Sequence, residues 1–342
     1  MSTDEFVAAR EQYKRATKEY LASRGEGRKI MRQRLYAARE RSYDLELKLI
    51  EKKISLLEDR LEALPAGSSG RTTSSNELLQ LRSRRQKLLS RLSHEDWLEY
   101  TRSVWRFKEM ESNVKTGKHP AQFSAEIPRR AIKMYSFVGE TVLDPFVGTG
   151  TTLLEARSLH RHSIGVDVSP EYIRIAKARL SQSALDVETS EYEPVLRVGD
   201  ARNLSFIEDE SIHLVIAHPP YWNAVRTSNQ PNDLSNISSY QDFLDEMEKV
   251  LKEIRRVLQK DRVFLIFTGD VRKKIQGVTR IAPLHADYIK MGENMGFHLW
   301  DVFIVETKIR QSGGKPTMGS YPFPTKLFAE FAHNYCLVFR KT

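Results

Sequence analysis

Apolar residues in the first 92 positions recur at alternating intervals of three and four. Leu47, Ile50, Ile54, Leu57, Leu61 and Leu64 follow this spacing, and Leu78, Leu81, Leu88 and Leu92 repeat it with Arg85 between them. The spacing draws one apolar stripe along a helix and makes a seam against a second helix. Residues 3–63 hold no proline, and only Gly25 and Gly27 interrupt their helix-favouring composition. Pro65 to Ser75 supplies turn-forming residues, after which Asn76 is placed to cap a second helix. The pattern predicts a coiled-coil-like α-helical hairpin over residues 1–92, with Tyr36 and Tyr43 extending the first seam backward.

Further along, the period changes. Val142-Leu143, Ile164 to Val166, a run ending at Val198, Leu214 to Ala217, Val263 to Phe267, Trp300 to Glu306 and Tyr335 to Phe339 read as short buried strands. Amphipathic helices lie between them: one through Ile127, Ala131, Ile132 and Tyr135, one through Leu153, Leu154 and Ala156, a long one from Tyr240 to Leu258, and one from Ala286 to Met295. Strands alternating with helices predict an α/β domain over residues 93–342. Trp97 and Trp105, at its entry, are expected in the core. The Asn- and Ser-rich stretch 223–239 is expected as a mobile loop over a cleft. Gln311 to Thr325, rich in Gly and Pro, is expected as a surface crossover with Tyr321 and Phe323 as its aromatic contacts.

Charge is unevenly spread. The chain carries a formal +9, and residues 1–92, with 21 Lys/Arg against 13 Asp/Glu, account for nearly all of it. Such a balance favours a polyanionic partner. Arg82, Arg84, Arg85, Lys87 and Arg91 crowd into one predicted helix and are candidate DNA-phosphate contacts. Two other roles stay open: packing on the α/β domain or pairing subunits as a homodimer, and docking a partner such as a nuclease or specificity subunit. No apolar run is long enough to span a membrane, and Met1 to Arg10 lacks a signal-peptide core, so a cytoplasmic setting is expected. A single cysteine, Cys336, excludes an internal disulfide framework and a cysteine metal cluster, and no metal is expected.

The richest stretch is Val142-Leu143-Asp144-Pro145-Phe146-Val147-Gly148-Thr149-Gly150-Thr151-Thr152. It predicts a strand, a tight glycine loop and the first turn of a helix, a form that lets a ligand approach the backbone. Asp167-Val168 ends the next strand about 20 residues on, where an acid meets a ribose. Asp200-Ala201 follows the third, and His218-Pro219-Pro220-Tyr221-Trp222 ends the fourth. A nicotinamide dinucleotide wants a third glycine where Leu153 stands, and no Gly-Lys-Ser/Thr follows the loop.

Asp-Pro-Phe-x-Gly-x-Gly-Thr-Thr followed by Pro-Pro-Tyr-Trp resembles the S-adenosylmethionine-dependent DNA amino-methyltransferases of the cytosine-N4/adenine-N6 family, over roughly residues 95–342. The resemblance implies a Rossmann-like, seven-stranded class I methyltransferase sheet. It also implies S-adenosylmethionine as cofactor and double-stranded DNA as substrate, with a flipped base, as in restriction–modification. The segment His119-Pro120-Ala121-Gln122-Phe123 is then expected to line the methionine end of the cofactor through His119, Pro120 and Phe123. The glycine loop and helix start would hold its carboxylate, Asp144 its ammonium group, Asp167 the ribose hydroxyls, and Asp200 with the Ala201 N–H the adenine.

An exocyclic amine needs acceptors for its hydrogens while the methyl group approaches in line. The resemblance assigns that task to the first loop position and the carbonyl after it, here His218 and Pro219. The family usually has Asp, Asn or Ser where this chain has His218, a departure that a neutral imidazole can chemically fill. Two prolines, Pro219 and Pro220, fix the backbone. Tyr221 offers a ring face for the flipped base and Trp222 supports it. A non-acidic first residue leans toward cytosine N4, with adenine N6, an RNA base methyltransferase and a non-catalytic scaffold as alternatives. Cytosine C5 chemistry needs a thiolate, and Cys336 lies inside an apolar strand. Arg226 is a candidate phosphate contact, Gly269-Asp270 matches the family pattern, and His333-Asn334-Tyr335 departs from its His-Glu-Tyr. The cofactor motifs precede the catalytic loop. No insertion is large enough for a conventional target-recognition domain.

Overall fold

The computed structural model describes residues 3–23, 27–65, 69–107, 124–182, 191–275, 277–306 and 331–342. His119, Pro120 and Phe123 and the Gln311 to Thr325 crossover lie outside the described residues. The chain divides into two compact units, Met1–Ser93 and His94–Thr342.

The first unit holds three helices, α1 (Thr3–Ala22), α2 (Gly27–Ala63) and α3 (Ser69–Ser90), with α1 along α2 and α2 along α3. This corrects the two-helix expectation. The sequence signal for the first break is Gly25 and Gly27, residues that are costly inside a helix. Helix α3 also begins seven residues before Asn76, which lies within it rather than capping it. The end of α2 is closed from α3: Arg71 Nη1 donates to the carbonyls of Leu61 (2.9 Å) and Leu64 (2.6 Å), groups that a further helical turn would otherwise satisfy. Ile50, Leu57, Leu78 and Leu88 are buried, Leu47, Ile54, Leu61, Leu64, Leu81 and Leu92 are half-buried, and Arg85 is exposed. Buried Ala9, Ala16 and Ala38 keep side-chain bulk low on α1 and α2.

The second unit is built on a sheet. Its elements are α4 (His94–Tyr100), β1 (Val104–Trp105), α5 (Glu126–Tyr135), β2 (Thr141–Asp144), α6 (Thr151–Ser158), β3 (His162–Asp167), α7 (Pro170–Gln182), β4 (Val195–Val198), β5 (Ile212–Ala217), α8 (Tyr240–Val257), β6 (Leu258–Thr268), β7 (Val271–Ile275), β8 (Val278–Ala282), α9 (Leu284–Asn294), β9 (Phe297–Glu306) and β10 (His333–Lys341). Eight strands, against the seven expected, run in the order β1-β9-β10-β6-β5-β2-β3-β4, the two-residue β1 pairing with β9 at the edge, and β7-β8 form a separate hairpin. Strands β2 to β6 are parallel, while β10 lies antiparallel between β6 and β9. The fold is α/β, as the alternating pattern predicts.

The run Leu214–Ala217 of strand β5 shows why a stretch of strand can be continuously apolar. Leu214 and Ile216 enter the layer under α5 and α6, with Ile127, Ala131, Ile132 and Ala156. Val215 and Ala217 enter the layer under α8 and α9, with Phe243, Met247, Val250, Leu251 and Ile254. A strand covered on both faces has no polar side to show. Trp105 is fully buried and stacked on Phe303 at 4.5 Å, as expected of a core residue. Trp97 is 52% exposed, against that expectation. Cys336 is wholly buried in β10, opposite Phe267 and Phe303, and burial pushes its thiol far above the ordinary range. No helix among the described residues is long and apolar enough to cross a membrane.

The parallel order reverses between β2 and β5: the chain passes from β2 to β3 on one side and returns to β5 on the other. Ligands of open α/β sheets bind outside the carboxyl ends of strands at such a point. Gly165 in β3 supports this crevice from below, because a Cβ there would meet Val147 Cγ2 at 2.7 Å and Leu153 Cδ2 at 2.9 Å. Val147 is stiff and belongs to the glycine loop, so Gly165→Ala should destabilise the unit by about 1–3 kcal/mol in denaturant unfolding. A cost near zero would mean that the loop moves aside freely.

Candidate active site

The glycine loop leaves β2 and turns into α6 through two residues with positive φ, Gly148 (48°) and Gly150 (83°). Gly150 is needed for space as well, since a Cβ would meet Ala176 Cβ of α7 at 3.0 Å. Val147 N donates to Val166 O at 2.9 Å and Gly150 N to Val147 O at 2.8 Å, fixing the loop to β3 and to itself. Arg179 of α7 fastens it from outside, with Nη1 donating to Thr149 O (2.5 Å), Thr149 Oγ1 (3.0 Å) and Thr151 Oγ1 (3.2 Å). Nothing in the sequence distinguishes Arg179 from other helix arginines, so this clamp is visible only in three dimensions. Burial pulls its guanidinium down from its usual range.

Two carboxylates sit beside this loop. Asp144 is 4% exposed, and its Oδ1 accepts from Phe146 N at 3.0 Å. Burial pushes its carboxyl up to about 7, against the hydrogen bonds from Thr152 and the Phe146 amide, and the charge of Asp167 adds to the rise. Asp167 ends β3, with Oδ1 accepting from Ser169 N and Oδ2 from Gly148 N, each at 2.9 Å. Burial brings it up to about 6. Each of its oxygens has a second lone pair. Val168 follows Asp167 in a half-buried bend, and Pro145 and Phe146 form the turn after β2. Desolvated carboxylates gain from a cation or from hydroxyl donors. A ligand with an ammonium group and vicinal hydroxyls, such as S-adenosylmethionine, fits this pair of acceptors.

Asp200 differs from its expected role. Arg202 holds both of its oxygens, Nε donating to Oδ1 at 2.8 Å and Nη2 to Oδ2 at 2.5 Å, and also reaches Glu246 and Asn232 O. An adenine amine must share Asp200 with this guanidinium. The Asp-x-Arg spacing is the available signal. Ala201 is buried in the core beside it.

The loop after β5 stands next to the glycine loop because β5 pairs with β2, Leu143 opposite Val215. His218 Nε2 lies 3.0 Å from Tyr221 Oη, a pair in which either partner can donate. Burial pushes the Tyr221 phenol well up, so the hydroxyl keeps its proton. Gly269, at the end of β6, lies under the Tyr221 ring; a Cβ there would meet Tyr221 Cε2 at 2.9 Å and Asn334 Oδ1 at 2.4 Å. Gly269 and the departure at Asn334 thus meet at the loop tyrosine, a convergence hidden in the sequence. Trp222 has φ 49°, which is strained for a bulky residue, and its N–H donates to Pro220 O at 2.9 Å. Its ring is buried against Tyr240 at 5.2 Å, and its Nε1 has no acceptor among the described residues.

Residues 223–239 form a knotted turn rather than a loose loop. Asp233 is 4% exposed and accepts from Thr227 Oγ1 (2.8 Å), Ser228 Oγ (2.6 Å) and Ser235 N (2.8 Å). Burial raises its carboxyl, but these donors outweigh it and hold the group below the ordinary range. Tyr172 Oη of α7 donates to Thr227 O at 2.6 Å, tying the turn to the cofactor side. Polar residues here satisfy one another, which composition alone cannot reveal. Arg226 is exposed, with Nε 3.3 Å from Ser228 O.

The cationic cluster of the first unit is engaged internally. Arg82 pairs with Glu58 (2.8 Å), Arg84 with Glu46 (2.6 Å), Arg85 with Glu51 (3.3 Å) and Arg91 with Asp44, all bridging to α2. Arg91 is only 2% exposed. Of the five candidate phosphate contacts, Lys87 is exposed without a described acidic partner.

A family model described as DNA methylase matches residues 9–178 and 212–342, and one described as methyltransferase domain matches 142–261. The Type II methyltransferase M.MthZI of Methanothermobacter thermautotrophicus is 28% identical over 156 residues, 42% of this chain and 43% of that one. The Type II methyltransferase M.MjaI of Methanocaldococcus jannaschii is 46% identical over 66 residues, 19% and 22%. The matched stretches span less than half the length of these relatives. A SAM-dependent methyltransferase structure from Methanosarcina mazei aligns at TM-score 0.43 and 16% identity, covering 61% of this chain and 96% of that one.

The raised carboxyl of Asp144 sets a pH dependence. Between about pH 4 and 7 the unfolded chain releases this proton while the folded site keeps it, so stability falls as pH rises and the loss is complete above about 7. Asp144→Asn removes the penalty. Its stability should match the parent near pH 4 and exceed it at pH 8 by a few kcal/mol, since each tenfold change in proton affinity is worth about 1.4 kcal/mol. Urea unfolding at several pH values checks this, and a difference that ignores pH would show an ordinary carboxyl.

Proposed function

This chain belongs to the DNA methylase family, and we propose that it transfers a methyl group from S-adenosylmethionine to the exocyclic amine of a base extruded from double-stranded DNA. One observation carries the reading: paired strands β2 and β5 bring the Asp144–Asp167 crevice and the His218–Trp222 loop to the same end of the sheet.

Asp144 would hold the ammonium end of the cofactor and Asp167 its ribose, with the Gly148–Thr152 turn and the start of α6 facing the carboxylate. When bound, the cofactor supplies an electrophilic methyl group. The chain supplies acceptors for the amine. The Pro219 carbonyl, directed by the two prolines, takes one amine hydrogen. His218 Nε2 takes the other once the Tyr221 hydroxyl yields it, and the imidazole can then receive the proton that the alkylated amine loses. Tyr221, seated on Gly269, forms the floor against which the base is read.

A non-acidic residue, His218, at the first position before Pro-Pro-Tyr-Trp favours cytosine N4, with adenine N6 as the second reading. Cytosine C5 is disfavoured, since the only thiol is Cys336, buried in β10.

Asp167→Ala should abolish cofactor binding in calorimetric titration. His218→Ala should bind cofactor as the parent does and lose methyl transfer by about 10²-fold or more, the usual scale for a general base. Equal loss of binding in both variants would mean that these roles are misassigned. Nucleoside mass spectrometry of duplex DNA incubated with labelled cofactor should show N4-methylcytosine. N6-methyladenine would move the target base, and an absence of any methylated nucleoside would overturn the enzyme reading.

A further inference from the structure

The chain leaves its paired prolines through two tight turns in succession. Trp222 N donates to Pro220 O at 2.9 Å, and Ala224 N donates to Tyr221 O at 3.1 Å. Trp222 belongs to both turns and has φ 49°. A left-handed backbone is costly for a bulky side chain and persists only where the surroundings over-determine it. Bonds within a turn are available to relaxed turns as well, so what holds this one lies outside it. The prolines do not reach that far, because each fixes only its own φ at 219 and 220.

Three successive residues of the loop are each met by a different element. The Tyr221 ring lies on Gly269 at the end of β6. The Trp222 ring is buried against Tyr240 of α8 at 5.2 Å. Asn223 is met by Lys273 of β7, whose Nζ donates to its Oδ1 at 2.8 Å and to its carbonyl, and lies 5.7 Å over the Trp222 ring. An ammonium has three donors and no acceptor, and here two of them go to one residue, restraining its backbone and its side chain together. Bonds from a charged donor are also stronger than those from a neutral one. The lysine itself is well placed to hold. Residue Val271 of β7 pairs with Ala282 of β8, and both are buried in the layer under α8 and α9, which fixes the base of a hairpin that would be marginal alone.

We infer that Lys273 is a positioning residue for methyl transfer: by holding Asn223 it keeps the Trp222 turn in its strained form, and with it the Pro219 carbonyl and the Tyr221 ring where the reaction uses them. This rests on the function proposed above and adds to it a residue that touches neither cofactor nor base and acts only through the loop. The prolines restrain the entry of the loop through covalent geometry, and Lys273 restrains its exit through hydrogen bonds. Its place in the chain gives no sign of this, since it stands 50 positions beyond Asn223 in the basic run Arg272-Lys273-Lys274.

The test compares the full-length parent with Lys273→Met, which keeps the side chain's length and removes its donors, and with Lys273→Arg, which keeps donors for both oxygens. Turnover at saturating DNA and cofactor should fall about tenfold or more in Lys273→Met, since a misplacement of about 1 Å can cost about 10²-fold. Cofactor affinity should not change, and Lys273→Arg should recover most of the loss. Asn223→Ala breaks the Oδ1 bond from the loop side and should lose part of the turnover; added to Lys273→Met it should cost nothing more. Unchanged turnover in a folded Lys273→Met would overturn the inference, as would fully additive losses. So would intact turnover at saturating DNA with a drop of about 0.9 in the salt slope of DNA binding, which would make Lys273 a phosphate contact instead. Where Lys273→Met does not fold, Asn223→Ala decides, and unchanged turnover there overturns the role. A crystal structure of Lys273→Met separates this inference from the proposed function. Trp222 relaxed from positive φ would support it, and Trp222 and Asn223 unmoved would overturn it, whether or not the parent methylates DNA.

Discussion

Taking a carboxylate out of water raises the energy of its charged form, and the crevice beside β2 holds two such groups around one short turn. Asp144 and Asp167 endure this because the backbone is bent to them: Phe146, Gly148 and Ser169 each turn an amide toward one of their oxygens. The bending depends on glycines at 148 and 150, on the absence of a side chain at 165, and on Arg179 strapping the loop to α7. Those in turn depend on the parallel order that sets β3 and β5 on either side of β2. A site that waits in an electrostatically unfavourable state is one that a complementary ligand completes.

Charge is distributed differently in space than along the chain. Counting cations along the sequence directs attention to residues 1–92, where nearly all of the excess lies. In three dimensions four of the five arginine and lysine candidates there face glutamates and an aspartate of α2, and their charge binds helices together. The β7–β8 hairpin holds four cations and no acid in its own sequence, a local +4 that acids elsewhere in residues 93–342 largely offset.

Much of the fold and of the crevice is legible in the sequence, for identifiable reasons. Alternation of apolar runs points to the α/β class because strands covered on both faces admit few polar residues. The glycine loop and the paired prolines can be placed because such residues constrain the backbone locally. Arg179 on the glycine loop, Arg202 on Asp200, and Asn334 beside Gly269 are different, since packing rather than any local pattern brings each to its place. The stretch 223–239 misleads for the same reason: Thr227, Ser228 and Ser235 look solvated until Asp233 is seen to gather them. The helical arm misleads at Gly25 and Gly27, where two weak helix breakers act together, and at Asn76, where a good capping residue sits inside a helix that Ser69 begins.

Cys336, sealed between Phe267 and Phe303 in the middle of the sheet, has a practical corollary. The native protein presents no accessible thiol, so a single cysteine engineered at any surface position would be the one site open to a maleimide dye or a spin label. Paired labels of this kind, one in each compact unit, offer a direct route to the distance and motion between the helical arm and the methyltransferase domain without first stripping out a background thiol.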